Sequence, residues 1–228
     1  MKLRTLLPLL ASASLLVAPL AGAGSLLGPA APTGLVARAV APGTIGLAWN
    51  ASSSLTGVTA YRVYHVEADG NLTGIAEVPG NQTAWNETGL APGVTMTYVV
   101  SAVDLTGEGA PSDPANATTW TVPTAPQDLA ASPGPGPLGE VTLTWAAPSS
   151  DGGAPLQAYR VYRDGALVAT ISPENLTFHD SGLLPFEGHG YQVSAVNEAG
   201  EGTPAEGCGM PSPWVGNECK EFFIGAFM

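Results

Sequence analysis

Six of the eight asparagines, Asn50, Asn71, Asn81, Asn86, Asn116 and Asn175, stand two residues ahead of a Ser or Thr. That tripeptide accepts a glycan on its side-chain amide when it lies exposed in an exported protein. Asn50 follows Trp49 and Asn86 follows Trp85. Successive side chains of a strand take opposite faces, so a Trp turned inward turns its Asn to solvent. Glycosylation at these six positions is therefore expected, five of them in the first half of the chain, in a host that carries the enzyme.

Two cysteines, Cys208 and Cys219, are the only thiols. An even count behind an export signal predicts a disulfide closing a short loop. Without a nearby pair of histidines they do not make a zinc site. The histidines, His65, His179 and His189, stand in no nucleophile motif such as Gly-x-Ser-x-Gly. His179 and its neighbour Asp180 read as an exposed edge pair. Asp104, Glu108, Glu198 and Glu201 fall in expected turns, and their spacing matches no calcium loop, so they read as solvated turn acids. No pattern asks for a cofactor, and no catalysis is expected.

The formal net charge is -12, set more by scarce Lys and Arg than by abundant acids. Such a chain repels phosphate backbones and anionic bilayers, which excludes nucleic acid as a partner. The start reads as a secretory signal. Lys2 and Arg4 precede an apolar run, and Ala21-Gly22-Ala23 is a small-x-small cleavage site. Residues 1–23 are expected to be removed, leaving no stable transmembrane span, because the apolar end Phe222–Met228 is too short to cross a bilayer.

The chain repeats itself at a period of about one hundred residues. Leu47-Ala48-Trp49 returns as Leu143-Thr144-Trp145, and Ala60-Tyr61-Arg62-Val63-Tyr64 as Ala158-Tyr159-Arg160-Val161-Tyr162. Tyr98-Val99-Val100-Ser101-Ala102-Val103 returns as Tyr191-Gln192-Val193-Ser194-Ala195-Val196. Gly107-Glu108-Gly109 returns as Gly200-Glu201-Gly202. Each run alternates with period two, as half-buried strands do. Between them lie turn signals such as Pro42-Gly43, Asp151-Gly152-Gly153 and Asp164-Gly165. About seven short strands per copy are expected. Pro123 and Pro126 mark a short, stiff junction. The divisions expected are a lead-in over residues 24–31, units over 32–121 and 122–212, and a tail over 213–228.

These motifs resemble the fibronectin type III family, over residues 32–121 and 123–212. The resemblance rests on Trp49 and Trp145, on the two Tyr-Arg-Val-Tyr runs, and on Leu90-Ala91-Pro92 and Leu183-Leu184-Pro185. It implies an all-β chain of two tandem immunoglobulin-like β-sandwiches. Trp49, Tyr61 and Tyr98 would then lie in one core, and Trp145, Tyr159 and Tyr191 in the other. The family's corner tyrosine is replaced by Met96 in the first copy and His189 in the second. The loop before that strand is thus expected to be less firmly pinned.

The function expected is that of a secreted or cell-surface spacer, adhesion or protein-interaction module with a protein or glycan ligand. The alternative is a carbohydrate-binding accessory unit related to secreted polysaccharide-degrading enzymes, with Trp120 and Trp214, outside the expected core positions, stacking on sugars.

Overall fold

The computed structural model describes residues 28–134, 139–184 and 187–211. The expected leader, Trp214, Cys219 and the rest of the tail lie outside these residues. The described chain is all-β, and two successive sandwiches share one plan.

In the first unit, β1 (Thr33–Ala41), β2 (Thr44–Asn50) and β5 (Ala84–Glu87) form a sheet in the order β1-β2-β5. The facing sheet runs β4-β3-β6-β7, from β3 (Ala60–Val66), β4 (Leu72–Pro79), β6 (Thr95–Asp104) and β7 (Gly107–Pro111). The strand β8 (Ala115–Thr118) continues along β6. The second unit repeats this. Its first sheet has β9 (Gln127–Pro133), β10 (Glu140–Ala146) and β13 (Thr177–Ser181). Its second has β11 (Ala158–Arg163), β12 (Ala166–Ile171), β14 (His189–Asn197), β15 (Gly200–Glu201) and β16 (Ala205–Gly209). Pairing is antiparallel throughout. Eight strands per unit arise because the seventh is split in two: β7 and β8 both pair with β6, and β15 and β16 both pair with β14.

Alternation along each strand builds the cores. Ile45, Leu47 and Trp49 face Tyr61, Val63, Tyr98, Val100 and Ala102 across the first sandwich. Val141, Leu143 and Trp145 face Tyr159, Val161, Tyr191, Val193 and Ala195 across the second. Trp49 meets Tyr61 edge to face at 5.4 Å between ring centres, and Trp145 meets Tyr159 at 5.4 Å. This geometry suits the ring quadrupoles and adds to the burial of both rings. Met96 packs against the first core.

The units meet without a free tether. Thr119 is anchored on the first: its hydroxyl donates to the Ala91 carbonyl at 2.7 Å and accepts the Val94 N–H at 3.0 Å. Thr121 is anchored on the second: its N–H donates to the Gly152 carbonyl at 2.9 Å, and its carbonyl accepts Asn197 Nδ2 at 2.8 Å. Gly152 and Gly153 both hold positive φ. A Cβ on Gly152 would lie 2.0 Å from the Thr121 oxygen, so only glycine admits this approach.

Candidate functional site

Three constellations collect the polar side chains of the chain, and each is built by strand alternation. The first lies between the sheets at one end of each sandwich. Glu87 is opposite Ile45 and therefore points inward, while Asn86 points out. The Tyr98 hydroxyl donates to Glu87 at 2.6 Å, and His65 Nε2 lies 2.8 Å from the same oxygen. In the second unit the Tyr191 hydroxyl donates to Asp180 at 2.8 Å, and Arg163 donates to both Asp180 oxygens at 2.8 Å. Burial first, and then the neighbouring carboxylate, raise the Tyr98 and Tyr191 phenols well above their ordinary range. His179 and Asp180 are not the surface pair expected. Adjacent positions on β13 face opposite ways, so His179 is exposed while Asp180 is buried.

The second constellation covers the outer face of the larger sheet. Glu108 accepts Arg62 at 2.7 Å, the Tyr64 hydroxyl at 2.5 Å, and the Ser101 hydroxyl. Glu201 accepts Arg160 at 2.5 Å, the Tyr162 hydroxyl at 2.8 Å, and the Ser194 hydroxyl. Burial opposes ionisation of both acids, but these donors outweigh it and hold both below the usual carboxyl range. Asp104 accepts the Ser54 hydroxyl at 2.6 Å and the Thr106 N–H at 2.7 Å, which lower it to about 2. Glu108, Glu201 and Asp104 are thus fixed acceptors rather than the solvated turn acids expected. The reason is that all three lie on strands rather than in the turns: Asp104 ends β6, Glu108 is on β7 and Glu201 is on β15. Among the described residues no group of three or more His, Cys, Asp or Glu is placed to hold a metal ion.

The third is the junction. Trp120, half-buried, is the single residue between the two anchored threonines, and its indole edge rests against Gly153. It lines a hollow with Arg38, Thr118 and Ser150. A second hollow, on the outer face of the β1-β2-β5 sheet, is lined by Arg38, Val36, Val40 and Asn86. Trp120 was visible in the sequence only as a Trp outside the core pattern. Arg38 and the anchors Thr119, Thr121 and Asn197 carried no sequence signal of their own.

The six acceptor asparagines are all exposed. Asn50 and Asn86 sit on the outer face of the β1-β2-β5 sheet, where Asn50 Nδ2 donates to the Thr33 hydroxyl at 3.3 Å. Asn71 Nδ2 donates to Asp69 at 2.6 Å within its turn. Asn116 lies on β8, and Asn81 and Asn175 in turns. Cys208 lies on β16. His189, at the corner position, reaches Asp164 through Nδ1 at 2.7 Å. Trp49, Tyr61, Tyr98, Trp145, Tyr159 and Tyr191 are each at most 5% exposed. No helix among the described residues is long and apolar enough to cross a membrane.

Comparison with known proteins places this architecture. A family model described as "Fibronectin type III domain" matches residues 30–118. Exoglucanase B of Cellulomonas fimi is 34% identical over 75% of this chain, and chitinase A1 of Niallia circulans 31% identical over 75%. The chain spans 15% and 24% of the length of those two proteins. Among solved structures, a Fn3-like protein from Clostridium thermocellum is 35% identical. That match covers 39% of this chain and 91% of the other, with a TM-score of 0.34.

Proposed function

We propose that this chain, a member of the fibronectin type III family, is a non-catalytic extracellular or cell-surface protein whose paired sandwiches act as a spacer and as an adhesion or protein-interaction module. The observation that carries the reading is the junction. Thr119 is bonded to one unit and Thr121 to the next, so the two sandwiches form one strut that sets distance and angle for whatever it joins. A spacer needs this stiffness, and it needs the charged groups committed to holding sheets together rather than to a reacting substrate.

The leader over residues 1–23 supports export, and glycans on Asn50, Asn71, Asn81, Asn86, Asn116 and Asn175 would shield mainly the first unit. A Cys208–Cys219 disulfide would tie the tail to the end of β16. The unit boundaries follow the same reading, with modules over 32–121 and 122–212. Intact mass of protein purified from its own host, reduced and unreduced, tests it. A chain beginning at Gly24, two hydrogens lighter before reduction and heavier by whole hexose-scale steps, is expected. A full, unmodified chain would overturn the surface role.

The second reading, a carbohydrate-binding accessory unit, is favoured by one observation. The relatives matched over three quarters of the chain are named as an exoglucanase and a chitinase.

A further inference from the structure

We propose that the hollow at the junction and the outer face of the β1-β2-β5 sheet form one strip that binds a linear, neutral polysaccharide chain, with a pyranose ring stacked on Trp120 and its hydroxyls held by Arg38. The proposal deepens the accessory-unit reading and rests on it. The two hollows adjoin at Arg38, the residue they share, with Trp120 lining one and Val36, Val40 and Asn86 the other.

The chemistry of the strip departs from the rest of the surface. The chain has 19 acids against 7 bases, yet neither hollow is lined by an Asp or Glu among the described residues. The described arginines are Arg38, Arg62, Arg160 and Arg163. The last three are each paired with a carboxylate, and Arg38 has no such partner among the described residues. Its five N–H donors are free for a ligand rich in acceptors. An indole offers a flat apolar face with the right area for the C–H face of a sugar ring. Gly46, opposite Arg38 on β2, keeps the middle of the strip flat, since a Cβ there would meet Val40 and Asn86 at 3.0 Å. Trp120 is held between two anchored residues, so the ring is already in place before binding, and little ordering cost is met on association.

A flat strip with one aromatic platform, one free donor fork and exposed Val36 and Val40 suits an extended chain of uncharged sugars. A carboxylate-bearing polymer would meet Arg38 but also the strongly acidic remainder of the protein. Asn86 closes the far end, so a glycan attached there would cover the strip.

Affinity electrophoresis of the whole chain, produced without glycosylation, tests this in gels containing hydroxyethyl cellulose or glycol chitin. Retardation in at least one gel is expected. Trp120→Ala should weaken it about tenfold, the loss of one stacking contact. Arg38→Ala, on an exposed strand, should weaken it too, and Leu167→Ala, an exposed residue of the second unit, should leave it unchanged. Melting temperatures of the variants show that folding is retained. Retardation that survives both strip substitutions overturns the proposal, as does none in either gel or retardation only with polygalacturonate. Self-association lost with Trp120→Ala would instead make the strip an interface between copies, which also overturns it. These outcomes are independent of the mass measurement that decides export.

Discussion

His65 and Arg163 occupy the same position in the two sandwiches, and each grips the carboxylate that receives the buried tyrosine opposite it. His65 is in register with Tyr98 and lies 2.8 Å from Glu87; Arg163 is in register with Tyr191 and lies 2.8 Å from Asp180. One plan is thus executed with an imidazole in the first unit and a guanidinium in the second. Arg163→Ala leaves Asp180, which is 6% exposed, without its cation and with the Tyr191 hydroxyl as its donor. The loss should be about 2 kcal/mol, below the roughly 3–5 kcal/mol of a fully buried pair, because the guanidinium is partly solvated. The second unit should then melt roughly 10 °C lower by calorimetry, with the first unit unchanged.

Alkaline conditions act on the tyrosines at the same sites. Tyr98 and Tyr191 ionise in the folded state only well above their ordinary value. A phenol raised in this way contributes stability that is fully present below about pH 10, where the unfolded chain's phenols titrate. That stability falls as pH rises further. Absorbance of phenolate against pH should therefore show part of the tyrosine titration delayed and arriving together with loss of the near-ultraviolet circular dichroism signal.

Acid acts on the other side. Asp104 is depressed to about 2, and Glu108 and Glu201 are held below the usual range. Groups lowered by folding contribute stability above their unfolded values, and it is lost as pH falls through the folded ones. Stability should thus be flat above about pH 5 and decline from pH 4 towards 2. Glu108→Gln and Glu201→Gln should each flatten part of that decline in denaturant titrations.

Two tyrosines that look alike should respond differently. The Tyr61 hydroxyl accepts the Ser52 N–H at 2.9 Å, whereas the buried Tyr159 hydroxyl has no hydrogen-bond partner among the described residues. Tyr61→Phe should cost about 1 kcal/mol, since it leaves a backbone donor unpaired. Tyr159→Phe should be neutral or stabilising. Urea denaturation of the two variants separates these outcomes.

Removing a core ring tests the independence of the units. Trp49→Ala or Trp145→Ala should each cost about 3–5 kcal/mol, most of the stability of a small domain. Only the unit that carries the change should unfold early, giving two resolved calorimetric transitions.

Much of this was legible in the sequence because it depends on local alternation. The Leu-x-Trp and Tyr-Arg-Val-Tyr runs carry period two within five residues, which is enough to say which face is buried. The same rule assigned Trp85 inward and Asn86 outward. What was not legible depends on partners brought from elsewhere. Glu108 receives donors 7, 44 and 46 residues away, on two different strands, so its role as an anchor has no local signature. The pairing of His179 with Asp180 failed for the opposite reason: adjacency in sequence is separation across a strand. At the junction, a glycine pair reads as an ordinary turn, and only the approach of the Thr121 carbonyl reveals why Gly152 must be glycine.

The entry to each unit has a further consequence. Pro29 lies over Gly109 in the first sandwich as Pro123 lies over Gly202 in the second, with the incoming carbonyl 2.3 and 2.2 Å from where a Cβ would stand. Each sandwich therefore carries its own socket for the chain that arrives from before it, built wholly from its own turn. A unit of this kind brings the seat for its incoming chain with it, wherever it stands in a tandem array.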